Sequence, residues 1–388
     1  MNIAIIGAGL TGAVIAERCS RQGHNVVVFE KRDHIGGNCY DYIDEKTGIL
    51  VSKYGPHYFH TNDEDVWQYL QQFATWIPYE ARIKSRVVMN GITKIVDVPV
   101  NINTVNTLFG LDIKSSEDMD AWLASVQVPI PQEAQNSEEV CLARVGHELY
   151  NLMFKGYTLK QWESDPKDLG PSVLARIPVR NNYDDRYFTD KYQAIPSKGY
   201  TEMIANMLRH PKIIVNTNYD YLKFSEAEKR AFGFDHVFFT GPIDAYFATS
   251  GLPPLQYRSL AFKHERPGGV TTRLYQDHAT INEPSIEVSY TRTTEYAHLP
   301  YEQTQSRCVS KKQLRLIVRE YSTKHGDPYY PVPNENNQAL YLEYKRLADI
   351  ETATHNVYFV GRLASYKYYN MDQAIKAALD TLASVKTL

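Results

Sequence analysis

The 388 residues, of which 43% are hydrophobic, are enough to bury the cores of two or three packed units. A net charge of -3, with both signs scattered along the chain, provides no basic stripe for a phosphodiester backbone and excludes nucleic acid as an expected partner. Cys19, Cys39, Cys141 and Cys308 lie far apart without a C-x-x-C pair, which argues against a zinc knuckle or disulfide scaffold and favours a reducing cytoplasm.

The N-terminal segment predicts a βαβ unit. Residues 2–6 have the pattern of a buried strand, Thr11–Gln22 that of a helix, and Asn25–Glu30 that of a second buried strand. The apolar start is interrupted by glycines and is too short to span a membrane, so we expect no membrane span here.

Three glycines stand between the first predicted strand and the helix. Gly7, Gly9 and Gly12 follow the G-x-G-x-x-G spacing, which permits a tight turn and brings a pyrophosphate close to the helix N-terminus. Glu30 ends the second strand, where a carboxylate can accept a hydrogen bond from a ribose hydroxyl. The sequence therefore predicts a dinucleotide site.

The middle of the chain changes character. An acidic start and apolar spacing predict a helix over Asp63–Phe73, and residues 81–100 predict a hairpin that turns at Asn90-Gly91. Residues 102–162 are mostly helical in pattern, including a helix over Ser137–Phe154 that begins in a serine cap. A helical insert is the expected result.

A loop and then short strands follow. Residues 164–172, SDPKDLGPS, predict a surface loop, and residues 236–241 a buried strand. The stretches SLAFKHE and SIEVSYTRTTEY predict antiparallel strands. Near the end, residues 356–362 predict a strand and Met371–Ser384 a helix, repeating the strand, glycine and helix order of the N-terminus.

A second glycine turn favours FAD over NAD. Asp33-His34-Ile35-Gly36-Gly37-Asn38 follows soon after Glu30 and resembles the flavoproteins of the glutathione-reductase-like group. In that group a C-terminal strand and helix close the binding domain, and the helix N-terminus faces the flavin ring, which suits GRLASYKYYNMDQA at 361–374. A helix N-terminus favours an anionic reduced flavin, with Arg362 as a further cation.

The predicted fold is α/β, with three parts. A Rossmann-like, glutathione-reductase-like FAD-binding domain is expected from residues 1–65, 197–250 and 335–388. A helical domain is expected from residues 100–165, and an antiparallel β-sheet substrate domain from residues 81–99, 172–196 and 255–334.

Six blocks of sequence together resemble the UDP-galactopyranose mutase family. In the family's order they are YGPHYFHT (54–61), FKGYTLKQW (154–162), RIPVRNNYDDRYF (176–188), SYTR (289–292), GDPYYP (326–331) and GRLASYKYYNMDQ (361–373). The resemblance implies an isomerase that converts UDP-galactopyranose to UDP-galactofuranose for cell-surface polysaccharide. It also implies that N5 of reduced FAD is the covalent nucleophile at the anomeric carbon. A homodimer is expected by analogy.

The resemblance also assigns expected roles to residues. Those expected at the reacting centre are Arg176, Arg292 and His57. Those expected to bind the cofactor are Gly7, Gly9, Thr11, Gly12, Glu30, Lys31, Gly37, Asn38, His57, Tyr58, Asn218, Tyr219, Arg362, Tyr369, Asn370, Met371, Asp372 and Gln373. Those expected to bind the nucleotide sugar are Phe154, Tyr157, Thr158, Trp162, Arg176, Tyr187, Asn282, Arg292, Tyr329, Tyr330 and Tyr368.

These roles fit the chemistry of the leaving group, because the departure and return of a diphosphate need cations around it. Arg176 directly follows the Pro/Gly-rich stretch, so a mobile loop is expected to carry it over the substrate and exclude water. Arg180, Arg186 and Arg258 are expected to be structural or surface charges. His57 and His60 form an H-x-x-H pair and Asp184-Asp185 an acidic pair, but no further ligands support a metal, so none is expected.

Some positions depart from the family pattern and leave the substrate open. Glu163 replaces a glycine of several members, Met153 and Phe154 stand where some have two phenylalanines, Ala81 replaces a polar residue, and Asn370 replaces an aspartate. The alternatives are a mutase for another nucleotide sugar such as dTDP-fucopyranose, an FAD oxidoreductase of the amine-oxidase type, and a non-catalytic nucleotide-binding protein.

Overall fold

The computed structural model describes residues 1–130, 133–267, 274–302, 304 and 315–385. Its strands are β1 (Asn2–Ile6), β2 (Asn25–Glu30), β3 (Asp41–Ile43), β4 (Leu50–Ser52), β5 (Phe59–Thr61), β6 (Trp76–Pro78), β7 (Ile83–Met89), β8 (Ile92–Val98), β9 (Tyr192–Pro196), β10 (Ile213–Thr217), β11 (His236–Phe239), β12 (Tyr257–Glu265), β13 (Thr280–Asn282), β14 (Arg292–Glu295), β15 (Ile317–Thr323), β16 (Tyr330–Pro331) and β17 (Val357–Phe359).

The helices alternate with these strands and cover them. They are α1 (Leu10–Arg21), α2 (Glu64–Leu70), α3 (Ile102–Phe109), α4 (Ser116–Val126), α5 (Ser137–Leu149), α6 (Gly156–Trp162), α7 (Ser172–Ala175), α8 (Tyr200–Leu208), α9 (Glu226–Phe232), α10 (Ile243–Tyr246), α11 (Glu335–His355) and α12 (Met371–Ser384). A π-helical segment, Tyr150–Lys155, joins α5 to α6. Among the helices of the described residues, none has the length and apolarity needed to cross a membrane.

A five-stranded parallel sheet forms the first layer, in the order β10-β2-β1-β11-β17. Its central strands are apolar on both faces because helices cover one face and an aromatic cluster the other. Ile3 and Ile5 of β1 pack with α1 and with Ile375 of α12, while Ala4 packs on the opposite face near Phe29. The predicted βαβ opening and the α/β class are confirmed.

A seven-stranded sheet forms the second layer, in the order β16-β12-β15-β14-β13-β7-β8. The hairpin at Asn90-Gly91 is confirmed, since both residues have positive φ and β7 pairs antiparallel with β8. The predicted antiparallel sheet is confirmed, and it contains one parallel pair, β13 with β7. The two strands are far apart in sequence, so no tight turn dictates their direction.

Two predicted strand assignments differ in detail. In SIEVSYTRTTEY only the end forms β14, and residues 283–291 form a loop between β13 and β14. Strand β9, which lies in the segment 172–196 predicted for the substrate sheet, instead pairs with β5 and β6 in a separate three-stranded sheet.

The helical insert is less regular than its pattern predicts. The cap of α5 is Asn136, which accepts from the Glu139 N–H, whereas the Ser137 hydroxyl donates to the Gly170 carbonyl. The single predicted helix over Ser137–Phe154 is wrong, because Gly146 has φ +71° inside α5 and the chain continues as a π-helical segment. A Cβ at Gly146 would lie 2.2 Å from the Val126 carbonyl oxygen, so close packing of α4 on α5 accounts for the break.

Candidate active site

The first glycine turn is shaped by close backbone contacts. Gly7 has φ +110°, and a Cβ there would lie 2.2 Å from Thr240 Oγ1. A Cβ at Gly12 would lie 2.0 Å from the Gly7 carbonyl oxygen, so α1 starts against the end of β1. A Cβ at Gly37 would lie 2.9 Å from the Gly9 Cα, which places the second glycine turn directly against the first.

The N-terminus of α1 fits an anionic group. Its N-cap is Gly9, no side chain caps it, and its first turn carries no acidic residue. The N–H groups of the first turn are thus left for a ligand, and the helix dipole favours negative charge at this end. The backbone cradle therefore suits the pyrophosphate of a dinucleotide.

The carboxylate of Glu30 is fixed at the end of β2. It is buried and accepts hydrogen bonds from the N–H groups of Ala8, at 2.8 Å, and Arg32, at 2.9 Å. The Tyr219 N–H donates to the Glu30 carbonyl and the Asn218 N–H to the Arg32 carbonyl. The cofactor residues predicted from β2 and β10 therefore lie together at the carboxyl ends of neighbouring parallel strands, where such folds bind ligands.

Lys31 and Asn38 lie beside this end of the sheet. The Lys31 ammonium is 3.1 Å from an Asp327 carboxylate oxygen, and Asn38 Oδ1 accepts from Arg32 at 3.1 Å. The Arg32 guanidinium also bonds Asp327 at 3.0 Å and lies 4.5 Å from the centre of the Tyr54 ring. The loop that carries Asp327 is thus tied to the predicted dinucleotide site.

A cavity of about 750 Å³ lies between the seven-stranded sheet, the helical insert and the start of α12. Gly361 connects it to the glycine turns, because a Cβ there would lie 3.1 Å from Thr11 Oγ1 and the next residue, Arg362, lines the cavity. The predicted site residues that line it are His57, Tyr58, Phe154, Tyr157, Thr158, Trp162, Arg176, Tyr187, Asn282, Arg292, Tyr330, Arg362, Tyr368, Asn370, Met371 and Gln373.

Three arginines converge on a pair of tyrosines in this cavity. The rings of Tyr330 and Tyr368 stack with centres 4.9 Å apart. The guanidinium of Arg176 lies 4.6 Å from the Tyr368 ring centre, and that of Arg362 lies 5.3 Å from the Tyr330 ring centre. Arg292 is held by the buried carboxylate of Glu320 at 2.8 and 3.0 Å.

The charge of this cluster is only partly compensated. Within the described ranges, Arg176 and Arg362 have no carboxylate partner. Arg176 donates to the Val173 carbonyl and to the Tyr368 hydroxyl, and Arg362 donates to the Tyr369 carbonyl. Two guanidinium charges in a partly enclosed cavity strongly favour a polyanionic ligand. A diphosphate supplies the matching charge.

The two stacked phenols differ in acidity. Burial raises the pKa of Tyr330, and the adjacent Tyr368 raises it further. Burial alone would raise the pKa of Tyr368 as well, but the charges of Arg176 and Arg362 outweigh it and lower that pKa below the usual tyrosine value. The Tyr368 hydroxyl is therefore the more acidic hydrogen-bond donor of the pair.

His57 is neutral in this environment. Burial, together with the charges of Arg362 and Arg292, lowers the pKa of His57 to about 4. Its Nδ1 lies 2.9 Å from the Gly55 carbonyl oxygen, which can only accept, so Nδ1 carries the proton and Nε2 is an acceptor. The lining residue His57 therefore offers the cavity a lone pair and no charge.

The N-terminus of α12 forms another wall. The Asn370 N–H donates to Gln373 Oε1 at 2.9 Å, and Arg362 binds the carbonyl of Tyr369 just before the helix. Asp372 does not line the cavity, and its Oδ1 is buried with no hydrogen-bond partner in the described part of the chain. This helix end thus presents backbone N–H groups and the Arg362 cation on one side of the cavity.

Comparison with known proteins identifies the family. A family model described as UDP-galactopyranose mutase matches residues 152–368, and one described as an NAD(P)-binding Rossmann-like domain matches residues 5–73. A Klebsiella pneumoniae protein named "Probable UDP-galactopyranose mutase" is 40% identical over 98% of this chain and 93% of its own. The chain belongs to the UDP-galactopyranose mutase family. It is accordingly an isomerase.

Further similarities bear on substrate and fold. An Escherichia coli protein named dTDP-fucopyranose mutase is 37% identical over 98% of this chain and 97% of its own. The crystal structure of a reduced UDP-galactopyranose mutase superposes with a TM-score of 0.69 at 16% identity, covering 99% of this chain and 96% of that one. A putrescine oxidase bound to putrescine reaches 0.55 at 13% identity over both whole chains, which shows a shared fold alone.

One residue predicted to bind the nucleotide sugar lies apart from the others. Tyr329 does not line the main cavity and lies instead in a separate pocket of about 470 Å³ with Tyr54 and Phe262. The ring centres of Tyr329 and Tyr330 lie 6.3 Å apart, and only Tyr330 lines the main cavity.

Residues that depart from the family pattern lie at different depths. Met153 and Phe154 line the cavity beside Tyr157. Ala81 is buried outside its lining, and its carbonyl accepts from the Tyr187 N–H at 2.7 Å. Glu163, with φ +48°, ends α6 and forms an ion pair with the buried Arg258 at 3.0 Å.

Sequence reasoning missed several lining residues. His60 Nδ1 lies 3.0 Å from Asp190 Oδ2, and its ring stacks on Phe188 at 3.6 Å. The matched block YGPHYFHT contained His60, but Asp190 has no sequence signal because β9 places it there. Arg180, expected to be structural, lines the cavity while its guanidinium donates to the Asp184 carbonyl at 2.9 Å. No group of three or more candidate metal ligands occurs within the described residues.

Proposed function

We propose that the protein interconverts UDP-galactopyranose and UDP-galactofuranose, with reduced FAD as its cofactor. The observation that carries the proposal is the convergence of Arg176, Arg292 and Arg362 on the stacked pair Tyr330 and Tyr368, in a cavity that adjoins a dinucleotide cradle. This arrangement matches a reaction whose leaving group is a diphosphate that must also return.

The cradle fits FAD because it has two glycine turns in contact and an uncapped helix N-terminus. We assign the pyrophosphate to the turns around Gly9 and Gly37, the ribose to Glu30, and the ring system to the wall formed by His57, Arg362 and the start of α12. When bound and reduced, FAD supplies N5 as the nucleophile at the anomeric carbon.

The protein's own residues control the diphosphate. Arg176 and Arg292 bind its oxygens and stabilise the negative charge that grows as the C1–O bond breaks. The Tyr330 and Tyr368 hydroxyls donate hydrogen bonds to the same oxygens, and these charged contacts keep the diphosphate near C1 for its return. His57, held neutral, accepts a hydrogen bond and adds no charge to the wall.

The nucleotide is assigned to the π-helical segment and α6. Phe154, Tyr157, Thr158 and Trp162 line the cavity from these elements and Asn282 faces them from β13. Aromatic faces suit a pyrimidine ring, and the short helix carries several of them on one side. Closure of residues 164–176 over the substrate would place Arg176 and exclude water.

The decisive experiment is a mutase assay. Protein reconstituted with FAD and reduced by dithionite should convert UDP-galactopyranose to UDP-galactofuranose, as separated by chromatography, without consuming reductant stoichiometrically. The oxidised protein serves as the control and should be inactive. If the reduced, flavin-loaded protein forms no UDP-galactofuranose from UDP-galactopyranose, the proposal is wrong.

A second substrate is favoured by one comparison, the 37% identity to the E. coli dTDP-fucopyranose mutase. A thymine methyl changes only a small apolar contact, which alters specificity by about 1–3 kcal/mol, whereas a 6-deoxy sugar lacks one hydroxyl. The same assay with dTDP-fucopyranose decides between the two by the ratio of kcat/KM values. An amine-oxidase activity would instead bleach the oxidised flavin with substrate in steady turnover.

The wider context is also proposed. We infer a homodimer in a reducing cytoplasm that supplies furanose for cell-surface polysaccharide. Cys19, Cys39 and Cys141 support the compartment, since all three are buried free thiols, while Cys308 lies outside the described residues. Sedimentation of the purified protein tests the dimer.

A further inference from the structure

A single lysine fills the loop between two of the predicted substrate residues. Asn282 and Arg292 are paired neighbours at the ends of β13 and β14, and both line the main cavity. The loop of residues 283–291 joins them and forms no strand of its own. Lys160 of α6 reaches into this loop, on the same helix that presents Tyr157 and Thr158 to the cavity.

The Lys160 ammonium binds four backbone carbonyls of the loop. Its Nζ lies 2.5–3.1 Å from carbonyl oxygens, at 2.5 Å from Glu283, 2.8 Å from Ser285, 3.1 Å from Val288 and 2.8 Å from Tyr290. An ammonium has three N–H donors, so one is shared between two acceptors. No other side chain in the described ranges bonds these four oxygens.

The loop has other fixed points at its base. The Glu283 N–H donates to the Thr291 carbonyl at 2.8 Å, and the buried Glu283 carboxylate pairs with Arg86. A Cβ at Gly156 would lie 2.2 Å from the Pro284 carbonyl oxygen, so the start of α6 lies directly on the loop. Helix α6 therefore contacts the loop at Gly156 and at Lys160, one helical turn apart.

We propose that Lys160 is a positioning residue that acts as a built-in monovalent cation, holding the 283–291 loop so that Asn282 and Arg292 are preorganised toward the nucleotide sugar. Without the ammonium, the four carbonyls would point at one another with no donor, and the loop would reorganise to reach water. Burial lowers the pKa of Lys160 to about 8, while Glu283 opposes that shift, so the lysine is charged at neutral pH.

The same lysine couples the two halves of the nucleotide site. Helix α6 presents Tyr157, Thr158 and Trp162 to the cavity, and the strand ends that the loop joins present Asn282 and Arg292. Because the Lys160 contacts are to backbone atoms, they fix the distance between the two elements irrespective of the loop's side chains. Removal of these contacts should therefore weaken substrate positioning without removing any group that touches substrate.

The test is cation rescue of Lys160→Ala, with Lys155→Ala as the matched control from the neighbouring π-helical segment. We expect Lys160→Ala to lower kcat/KM and the affinity for UDP by roughly 10- to 100-fold, the range set by charged hydrogen bonds. Ethylammonium, which supplies N–H donors, should raise the kcat/KM and the UDP affinity of Lys160→Ala at least severalfold. Tetramethylammonium carries the charge but has no N–H, so it should raise neither. Lys160→Met keeps the apolar stem but has no N–H donor, and it should show the same loss of UDP affinity if the alanine variant folds poorly.

Hydrogen exchange separates this inference from the proposed function on which it rests. The amides of residues 283 and 285–291 should exchange at least about tenfold faster in the Lys160 variants without any ligand, and ethylammonium should slow them again in Lys160→Ala. Wild-type protein that lacks mutase activity would refute the proposed function yet leave this measurement valid. Exchange and UDP affinity equal to those of Lys155→Ala, or equal effects of the two amines, would overturn the role of Lys160.

Discussion

No acidic side chain among the described residues pairs with the charge of Arg176. It stacks on Tyr368 at 4.6 Å, and within the described residues it has no carboxylate partner, whereas Arg292 is held by Glu320. We expect Arg176→Ala to lower kcat/KM by roughly 10²- to 10³-fold, since it removes charge that acts in a partly enclosed site.

The matched control is Lys167→Ala, which removes an exposed cation from the same loop. Steady-state kinetics with UDP-galactopyranose should show near-normal rates for this variant. Arg176→Lys should remain impaired, because an ammonium cannot reproduce the planar stacking and the bidentate contact. Full activity of Arg176→Ala would contradict the assigned role.

The lowered pKa of Tyr368 predicts a pH dependence of binding. As pH rises through that pKa, which lies below the ordinary tyrosine value of about 10, the phenol loses its proton and the phenolate repels the diphosphate. UDP affinity, measured by calorimetry, should therefore fall at alkaline pH in the wild type. The fall should be absent in Tyr368→Phe and present in Tyr330→Phe, since the pKa of Tyr330 is raised. An equal alkaline fall in all three proteins would show that another group is responsible.

At the scale of elements, the break in α5 strongly restricts which residue can occupy position 146. Gly146 combines φ +71° with a 2.2 Å approach of its would-be Cβ to the Val126 carbonyl oxygen. We expect Gly146→Ala to reduce the free energy of unfolding by about 2–4 kcal/mol, because both backbone strain and overpacking oppose it.

Gly233→Ala is the matched control for this change. It has φ +62° at the end of α9, but a Cβ there would meet no atom within 4 Å. Urea unfolding should show a loss of only about 1 kcal/mol, the cost of the left-handed conformation. Equal losses for the two variants would mean that packing against α4 contributes nothing.

Local sequence patterns predicted those strands and turns that depend on neighbouring residues alone. Buried strand runs gave β1, β2 and β11, and Asn-Gly gave the turn between β7 and β8. The kink at Gly146 was not predictable, because it depends on a carbonyl of α4 that sequence spacing does not place. The parallel pairing of β13 with β7 was not predictable either, because the direction of distant strands is set by packing across the whole sheet.

The candidate site was predictable from the family's motifs, with specific exceptions. Sixteen of the predicted residues line one cavity, but Tyr329 lies in a neighbouring pocket with Tyr54 and Phe262. No sequence pattern indicated that Asp190 lies at the site or that Lys160 binds the 283–291 loop, since both depend on contacts between distant segments. The predicted roles and the three-domain division stay predictions until the variants are measured.

On the scale of the whole molecule, the glycine turns that join β1 to α1 also form the proposed cofactor site. A Cβ at Gly12 would lie 2.0 Å from the Gly7 carbonyl oxygen. We expect Gly12→Ala to push α1 from the end of β1 and abolish FAD retention, measured as flavin absorbance of the purified protein per chain. Gly23→Ala, where the nearest atom is the Lys212 ammonium at 4.0 Å, should keep its flavin. Stoichiometric flavin in Gly12→Ala would contradict the assigned cradle.

The order of strands in the parallel sheet has a consequence for biosynthesis. Strands β1 and β2 are translated first, but β1 lacks its other neighbour until β11 at residue 236, and β17 and the covering helix α12 complete the layer only at residues 357–384. On a ribosome that adds about 5–20 residues per second, the nascent chain spends tens of seconds with an open edge beside β1. The parallel layer around the dinucleotide cradle is therefore complete only once β11, β17 and α12 have all been synthesised.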